Sequence, residues 1–278
     1  MKIGLGYTVE NKILIVEEHK LPIKILKPDS MEGESLRPVV LWLHGGGYAF
    51  GDNRMVYVSR AMNLVRKFGA VVICPNYRLS GEAPYPAALI DCYATLKYIK
   101  EHASELGVRS DQIMVGGESA GGGLTVALCM LARDVGEINI AYQMPLYPMI
   151  DDRFTASSID NHAPVWNTKR NRAAWLKYLR NVPFDQVPIY AAPARQTDYT
   201  NLPPAYTFVG DIEPFYDETI QYIENLKAAG VEANLDVYPN CYHAFDLLYP
   251  LAKVSKQASD NFDAHFAYAI NNYFVKQK

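Results

Sequence analysis

Residues 112–125 read QIMVGGESAGGGLT and carry the strongest fold signal in the chain. The apolar run at 112–115 predicts a buried strand, and a helical pattern begins directly after Ser119. Gly117 and Gly121 flank the serine in G-x-S-x-G spacing, where small residues permit a sharp strand-to-helix turn that lifts the hydroxyl above the strand end. The spacing fits neither the P-loop nor the dinucleotide-binding fingerprint. We therefore predict a nucleophilic serine; a glycine-rich turn with an incidental serine is the alternative interpretation.

Outside this turn, strand-like and helix-like segments alternate along the chain. Strands are predicted at 39–43, 70–74, 112–115, 141–144, 205–209 and 234–238. Helices are predicted at 55–67, 87–102, 120–133, 217–229 and 255–275. This alternation is typical of right-handed βαβ crossovers, so we expect an α/β fold with a mostly parallel sheet and helices on both faces. Two further β-like runs, 13–17 and 21–26, predict an N-terminal hairpin that turns at His19 and Lys20.

The alternation stops between residues 151 and 202, a segment with four prolines and one amphipathic helical pattern at 169–180. We predict that residues 151–202 are an insertion that forms a small cap on the sheet. No internal repeat or flexible linker occurs in the sequence, so residues 1–278 are expected to form a single domain. Because the residues before position 39 have mostly strand patterns, an N-terminal cap is expected to be largely absent.

The composition of the 278 residues argues against several classes of protein. Lys and Arg number 27 against 30 Asp and Glu, a net charge of −3 without blocks of like charge, so a nucleic-acid partner is not expected. The chain starts without a signal-peptide pattern and no apolar stretch reaches about 20 residues, which predicts a cytoplasmic protein without a membrane partner. The four cysteines lack metal-ligand spacing, so we expect free thiols and no metal site.

A second glycine motif, His44-Gly45-Gly46-Gly47, directly follows the predicted strand at 39–43. Without Cβ atoms, the backbone N–H groups of such a loop can approach the negatively charged oxygen that develops during acyl transfer. We therefore predict an oxyanion hole at this loop. In the chain order that accompanies the elbow the base follows the serine, so His44 is interpreted as a structural hydrogen-bonding residue.

Six histidines are available as the base, and chain order selects among them. His162 lies in the insertion, before any candidate acid, and His265 lies within the predicted terminal helix. His243 follows the predicted strand at 234–238, in a loop at the end of a strand where a base is presented to the elbow. We predict that His243 is the base.

Four carboxylates follow the predicted strand at 205–209 and are candidates for the acid. Asp217 and Glu218 lie at the start of the next helix, where interaction with the helix N-terminus explains them. Asp211 and Glu213 remain as alternatives on this reasoning alone.

Together these motifs resemble the hormone-sensitive-lipase-like family of α/β-hydrolases, and especially its bacterial carboxylesterases. The resemblance runs from about Pro38 to the end of the chain. It rests on HGGGYAFG at 44–51, YRLSGEAPYPA at 77–87, GESAGG at 117–122 and the blocks around the candidate acid and base. It implies an α/β-hydrolase fold with an eight-stranded, mostly parallel sheet.

The resemblance also orders the two candidate acids. In the family the acid is typically an Asp directly before a Pro in a D-P-x-x-D-E pattern, and residues 213–218, EPFYDE, fill this pattern with Glu in place of Asp. Glu213 is therefore favoured over Asp211. A Ser-His-Glu triad is chemically sound, although the longer side chain must fold back to reach the imidazole.

By the same resemblance, backbone N–H groups of Gly46, Gly47 and Ala120 form the oxyanion hole. Aromatic candidates for the walls of the substrate pocket are Tyr48, Tyr85 and Trp166. The implied activity is that of a serine carboxylesterase for small, short-acyl esters, with ester and water as partners and no cofactor. An amidase or peptidase on the same triad, or a non-catalytic ligand receptor, is the alternative. The natural ester and a homodimer through the predicted strand at 234–238 are left open.

Overall fold

The computed structural model describes residues 6–29 and 36–278. The strands are β1 (Tyr7–Val16), β2 (His19–Pro28), β3 (Arg37–Leu43), β4 (Val71–Pro75), β5 (Val108–Glu118), β6 (Tyr142–Leu146), β7 (Ala205–Gly210) and β8 (Ala233–Tyr238). The helices are α1 (Ala61–Phe68), α2 (Ala87–Glu101), α3 (Ala103–Leu106), α4 (Ala120–Val135), α5 (Ala156–Ile159), α6 (Thr168–Tyr178), α7 (Tyr216–Ala228), α8 (Phe245–Leu248) and α9 (Lys253–Asn272). Short 3₁₀ helices lie at Asn53–Val58, Phe184–Gln186 and Pro193–Arg195.

The eight strands of the described residues form one sheet in the order β1-β2-β4-β3-β5-β6-β7-β8. β3 pairs in parallel with β4 and β5, and parallel pairing continues through β6 and β7 to β8. Antiparallel pairing is confined to β1 with β2 and β2 with β4. This topology confirms the predicted α/β fold, and it places the carboxyl ends of β3, β5, β6, β7 and β8 at one edge of the sheet.

Alternate side chains of β3 serve two separate cores. Val39, Leu41 and Leu43 belong to the same buried core as residues of α2, α4 and α7, whereas Val40 and Trp42 belong to a second core with residues of α1 and α9. Successive side chains of a strand point to opposite faces, so a strand that is covered on both faces is apolar throughout. The continuous apolar run of β3 thus reflects a sheet between two helical layers.

The N-terminal hairpin turns two residues earlier than the sequence predicts. β1 and β2 extend to the pair Val16 and His19, so Glu17 and Glu18 form the turn, with Glu17 at φ 57°. The prediction that His19 and Lys20 form this turn is wrong, because both belong to β2. Alternate side chains of β2 are buried, and this burial sets the register in which β2 pairs with β1. In that register the pairing continues to His19, so β2 begins directly after the turn.

The predicted helix at 55–67 is also corrected, because two elements occupy this region. The 3₁₀ helix Asn53–Val58 ends before Arg60, whose backbone N–H donates to the buried Oε1 of Glu118 at 3.2 Å. The Ser59 hydroxyl then accepts a backbone hydrogen bond in the first turn of α1. A contact with a residue far away in the chain therefore interrupts a pattern that is locally helical.

Residues 151–202 contain α5, α6 and two of the 3₁₀ helices. The buried side of α6 packs on the loop that follows β3, where the ring of Tyr178 stacks on Tyr48 with 4.0 Å between centroids. This contact brings α6 to the edge of the sheet where the carboxyl ends of the strands lie. In the described residues before β3, 6–29 form strands and no helix.

A buried ion pair joins the end of β4 to α2. Arg78 Nη2 lies 2.8 Å from Asp91 Oδ1, and the Arg78 backbone N–H donates to Asp91 Oδ2 at 2.8 Å. The Asp91 side chain is fully buried. The YRL motif thus holds the turn after β4 against the helix that follows it.

Asp91→Ala is expected to lower the free energy of unfolding by about 3–5 kcal/mol, because it leaves the largely buried Arg78 guanidinium without its partner. Asp111→Ala is the control: it removes an ion pair whose two side chains are each 40% exposed, and should cost at most about 1 kcal/mol. Urea unfolding followed by circular dichroism measures both variants. Equal losses would contradict a structural role for the Arg78 pair.

Candidate active site

Ser119 occupies the turn between β5 and α4, with φ at 58° in the left-handed region. A non-glycine residue in this conformation is strained, and such strain persists where the surrounding structure imposes it. Gly117 and Gly121 pass the carbonyl oxygen of Leu43 so closely that a Cβ on either residue would overlap it. The close approach of the end of β5 and the start of α4 to β3 therefore requires both glycines of the G-x-S-x-G motif.

Ser119, His243 and Glu213 form a hydrogen-bonded chain. Ser119 Oγ lies 2.8 Å from His243 Nε2, and His243 Nδ1 contacts Glu213 Oε2. One neutral tautomer satisfies both contacts, with the hydroxyl donating to Nε2 and Nδ1–H donating to the carboxylate. The three residues are 6%, 3% and 0% exposed, respectively. This arrangement can activate a hydroxyl as a nucleophile.

Both candidate acids follow β7, and of the two the structure brings Glu213 to the imidazole. Glu213 folds back towards the strand, so that its Oε1 accepts the backbone N–H of Gly210 at 3.2 Å while its Oε2 contacts His243. Asp211 is exposed, and its Oδ1 accepts the backbone N–H of Asn240 at 2.6 Å. Asp211 therefore stabilises the loop that follows β8 and does not contact the imidazole.

Three aromatic rings surround the imidazole of His243. Tyr147 and Phe215 meet it edge to face, each with 5.0 Å between centroids, and Trp166 lies at 6.1 Å. Sequence reasoning missed Tyr147 and Phe215. The available signal was position, because Tyr147 directly follows β6 and Phe215 lies two residues after Glu213, at the edge where the other site residues lie. These rings exclude water from the imidazole, which strengthens its electrostatic interactions.

The glycine loop after β3 adopts a conformation that requires glycine at Gly46. Its φ is 120°, and a Cβ at this position would overlap the carbonyl oxygen of Phe50. The Gly46 carbonyl oxygen accepts backbone hydrogen bonds from Ala49 and Phe50, both at 3.0 Å, which close the loop on itself.

The same loop lies beside the serine. A Cβ on Gly45 would come within 3.3 Å of Ser119 Cβ. Among the described residues, none accepts a hydrogen bond from the backbone N–H of Gly46, Gly47 or Ala120. These are the three N–H groups for which the family resemblance implies a role in an oxyanion hole, and all three remain available for a ligand oxygen.

His44 is held in the hydrogen bonding of the loop itself. Its Nδ1 lies 2.7 Å from the carbonyl oxygen of Gly45, and its ring stacks on Tyr77 with 4.2 Å between centroids. The Tyr77 hydroxyl donates to the His44 carbonyl oxygen at 2.7 Å. Burial lowers the pKa of His44, which favours a neutral ring that shapes the loop.

Of the three aromatic residues predicted to form pocket walls, the structure brings Trp166 to the hydrogen-bonded imidazole. Tyr48 is buried, and its hydroxyl donates to the carbonyl oxygen of Met149 at 2.7 Å, so its ring serves packing. Tyr85 meets the ring of Tyr178 edge to face at 5.8 Å. The rings of Tyr48 and Tyr85 thus both pack against Tyr178 of α6.

Comparison with known proteins agrees with this geometry. A family model described as the alpha/beta hydrolase fold matches residues 40–247. The chain belongs to the α/β-hydrolase family. It is 32% identical to esterase LipI of Mycobacterium tuberculosis over 224 residues, 80% of this chain and 70% of that protein. It is also 32% identical to carboxylesterase NlhH of the same organism over 241 residues, 84% of this chain and 74% of that protein.

Among solved structures, bacterial heroin esterase superposes on this α/β-hydrolase with a TM-score of 0.90 at 34% identity. The match covers 95% of this chain and 85% of that chain. These comparisons confirm the family resemblance that the sequence motifs indicate.

In this α/β-hydrolase, the residue before the serine belongs to a buried polar network. Glu118 Oε2 accepts the indole N–H of Trp42 at 2.8 Å, and its Oε1 accepts the backbone N–H of Arg60. Arg60 Nε in turn donates at 2.9 Å to Asp246 Oδ2, three residues after His243. Burial, together with the nearby Asp246 carboxylate, raises the pKa of Glu118 to about 8. The network ties the elbow to the loop that carries the imidazole.

Asp217 and Glu218 lie in the first turn of α7, but helix capping does not explain them. Glu218 Oε1 accepts the backbone N–H groups of Ile150 and Asp151 at 2.7 and 3.1 Å, and Asp217 Oδ2 accepts that of Ser157 at 2.6 Å. Their place in the first turn agrees with the predicted interaction with the helix N-terminus, but neither side chain caps the helix and both bind a segment that is distant in sequence. They anchor the start of the 151–202 insertion beside the site.

The four cysteines are buried free thiols, and burial raises the pKa of Cys74, Cys92 and Cys129.

Across residues 6–29 and 36–278, no group of three or more His, Cys, Asp or Glu side chains could hold a metal ion. In the same residues, no helix combines the length and apolar character that crossing a membrane requires.

The pKa of Glu118 has a consequence for stability. It lies at about 8 in the folded protein against an ordinary value of 4.5, so the folded state binds this proton more tightly. Between these two pH values the contribution of Glu118 to the free energy of unfolding therefore falls as pH rises. The decrease amounts to several kcal/mol, at about 1.4 kcal/mol per pKa unit.

Glu118→Gln cannot ionise, so its free energy of unfolding should fall less steeply with pH than that of the wild type. Urea unfolding at intervals from pH 5 to pH 8.5 measures both slopes. Glu105→Gln, at an exposed position, is the matched control and should parallel the wild type. A Glu118→Gln profile parallel to the wild type would refute the raised pKa.

Proposed function

We propose that this α/β-hydrolase is a serine carboxylesterase that hydrolyses small carboxylic esters through an acyl-enzyme intermediate. The observation that carries the proposal is the buried chain of hydrogen bonds from Ser119 through His243 to Glu213. The names of the two mycobacterial relatives, an esterase and a carboxylesterase, support the same reaction. An ester and water are the two small-molecule substrates.

In the first step, Ser119 Oγ attacks the carbonyl carbon of the ester while His243 Nε2 takes the hydroxyl proton. The 2.8 Å separation of these atoms is suited to that transfer. Glu213 keeps the second ring nitrogen protonated and stabilises the imidazolium that forms. The imidazolium then gives its proton to the departing alcohol, which leaves an acyl group on the serine.

The negative charge that develops on the carbonyl oxygen needs donors already in place. The backbone N–H groups of Gly46, Gly47 and Ala120 are suited to this role, because they have no acceptor among the described residues. Ala120 directly follows the serine, and Gly45 of the glycine loop lies beside it. Fixed donors stabilise the tetrahedral intermediate without the reorganisation that water would need. In the second step, His243 takes a proton from a water molecule that attacks the acyl carbon, and the same donors stabilise the second tetrahedral intermediate. Cleavage of the bond to Ser119 Oγ then releases the carboxylic acid, and the imidazolium returns its proton to Oγ.

Ser119→Ala is expected to lower kcat for p-nitrophenyl acetate on the order of 10⁴-fold or more, because it removes the nucleophile. Release of p-nitrophenol measures the rate, and circular dichroism checks the fold. Ser104→Ala, an exposed serine in α3, is the control and should retain wild-type activity. Turnover by Ser119→Ala at the wild-type rate would exclude Ser119 as the nucleophile.

Glu213→Gln and Asp211→Asn test which carboxylate supports the imidazole. Glu213→Gln should reduce kcat on the order of 10²–10⁴-fold, because a neutral amide neither fixes the tautomer nor stabilises imidazolium. Asp211→Asn keeps an oxygen that can accept the Asn240 N–H and should retain most activity. The reverse ranking of the two variants would assign the acid to Asp211.

A further inference from the structure

Trp166 lies beside the imidazole of His243 and against Gly47. The far edge of its indole ring, at Cη2, approaches Gly47 so closely that a Cβ on that glycine would overlap it. The ring centroid lies 6.1 Å from that of His243 and 6.2 Å from that of Phe215. Trp166 is partly exposed, whereas Ser119 and His243 are buried, so the indole lies between the site and solvent.

Contacts on both sides hold the indole in this position. Its Nε1–H donates to Oδ1 of the buried Asn171 in α6 at 3.4 Å. Its backbone N–H donates to the carbonyl oxygen of Pro164 at 2.8 Å, and the Arg170 guanidinium donates to the carbonyl oxygen of Val165. Hydrogen bonds with Arg170 and Asn171 therefore hold the loop that carries Trp166 against the N-terminal part of α6.

This loop is strained at Val165, the residue directly before the tryptophan. Val165 has a φ of 69°, and the hydrogen bond between its two neighbours closes a tight three-residue turn around it. A β-branched residue in the left-handed region is unfavourable and persists only where surrounding contacts impose it. The fold thus maintains an unfavourable backbone conformation whose effect is to direct the indole towards Gly47.

The direction of the acyl chain follows from the proposed function. If the carbonyl oxygen is held by the N–H groups of Gly46 and Gly47, the alcohol must leave beside Nε2 of His243, which protonates it. The acyl chain then lies on the remaining side of the carbonyl carbon. The indole of Trp166 occupies the space next to Gly47.

We propose that Trp166 sets the upper limit on acyl-chain length, so that the site accepts acetyl to butyryl esters and excludes octanoyl esters. This inference rests on the proposed function, because it assigns the substrate class of the same site. Asn171 acts as a positioning residue that holds the indole in the space beside Gly47. Trp166 is the specificity-determining residue, and its removal opens the acyl side of the site towards solvent.

The test compares kcat/KM for p-nitrophenyl acetate, butyrate and octanoate. In Trp166→Ala the octanoate-to-acetate ratio should rise at least about 10-fold over the wild type, since several methylene groups gain space and each can contribute substantially to discrimination. The change should appear mainly in KM for the octanoate. Asn171→Ala keeps the indole ring but removes its hydrogen-bond acceptor, so the octanoate-to-acetate ratio should rise by a smaller factor than in Trp166→Ala.

Phe184→Ala is the matched control, because it truncates an exposed aromatic side chain of the same insertion away from these contacts and should leave the ratio unchanged. Loss of activity by the same factor towards all three esters in both Trp166→Ala and Asn171→Ala would show a structural role and overturn the proposal. An unchanged acyl ratio, with altered selectivity only among ethyl, butyl and octyl acetates, would also overturn it. Absence of hydrolysis of every ester by the wild-type protein would instead overturn the proposed function itself.

Discussion

The geometry of the site follows from how closely the end of β5 and the start of α4 approach the backbone of β3. Gly117 and Gly121 both pass the Leu43 carbonyl oxygen at a distance that leaves no space for a Cβ. This approach forces Ser119 into the left-handed region and turns its hydroxyl away from the sheet, towards His243. Since Leu43 is the last residue of β3, the glycine loop that follows it is brought beside the serine by the same packing. One contact between backbone segments thus positions the candidate nucleophile and the candidate oxyanion donors together.

Buried carboxylates extend this arrangement to the surrounding loops. Glu118 binds the backbone of Arg60, and Glu218 binds the backbone of Ile150. A carboxylate without partners would be costly in a protein interior, and these hydrogen bonds offset part of its desolvation. Because each partner lies far away in sequence, the bonds couple segments that would otherwise move independently. The raised pKa of Glu118 shows that desolvation still outweighs the gain for the charged form.

The candidate site combines this rigid framework with a covering residue from the insertion. The imidazole of His243 lies among Tyr147, Phe215 and Trp166, which come from three different segments. Tyr147 directly follows β6, and Phe215 directly precedes α7, whereas Trp166 lies on a loop between α5 and α6. Surface loops can change without disturbing the sheet that carries them, so our two proposals assign the chemistry and the size limit of the substrate to different parts of the chain.

Local pattern was sufficient for much of the fold and for the serine. The alternation of strand and helix periods predicts the parallel sheet, and the elbow requires small residues within two positions of Ser119, so its signal is contained in a short stretch. The errors have a common cause in contacts between distant residues. Arg60 interrupts a helical pattern because Glu118 binds its N–H, and Glu218 also binds the backbone of Ile150 and Asp151, which its place at the start of a helix does not reveal. The hydroxyl of Tyr48 is likewise bound to the carbonyl oxygen of Met149, far away in the chain.

The amino-acid pattern alone therefore specifies the α/β architecture, the position of Ser119 and a histidine late enough in the chain to serve it, because these features depend on periodicity, spacing and order. Reasoning from residues left Asp211 and Glu213 open, and family resemblance only ranked them. Their distinction lies in three-dimensional packing, since Glu213 can fold back to the imidazole while Asp211 is drawn to Asn240. The position of Trp166 beside His243 is likewise decided by three-dimensional packing, through its contacts with Gly47 and Asn171. Side-chain direction and reach are set by neighbours that sequence distance does not reveal.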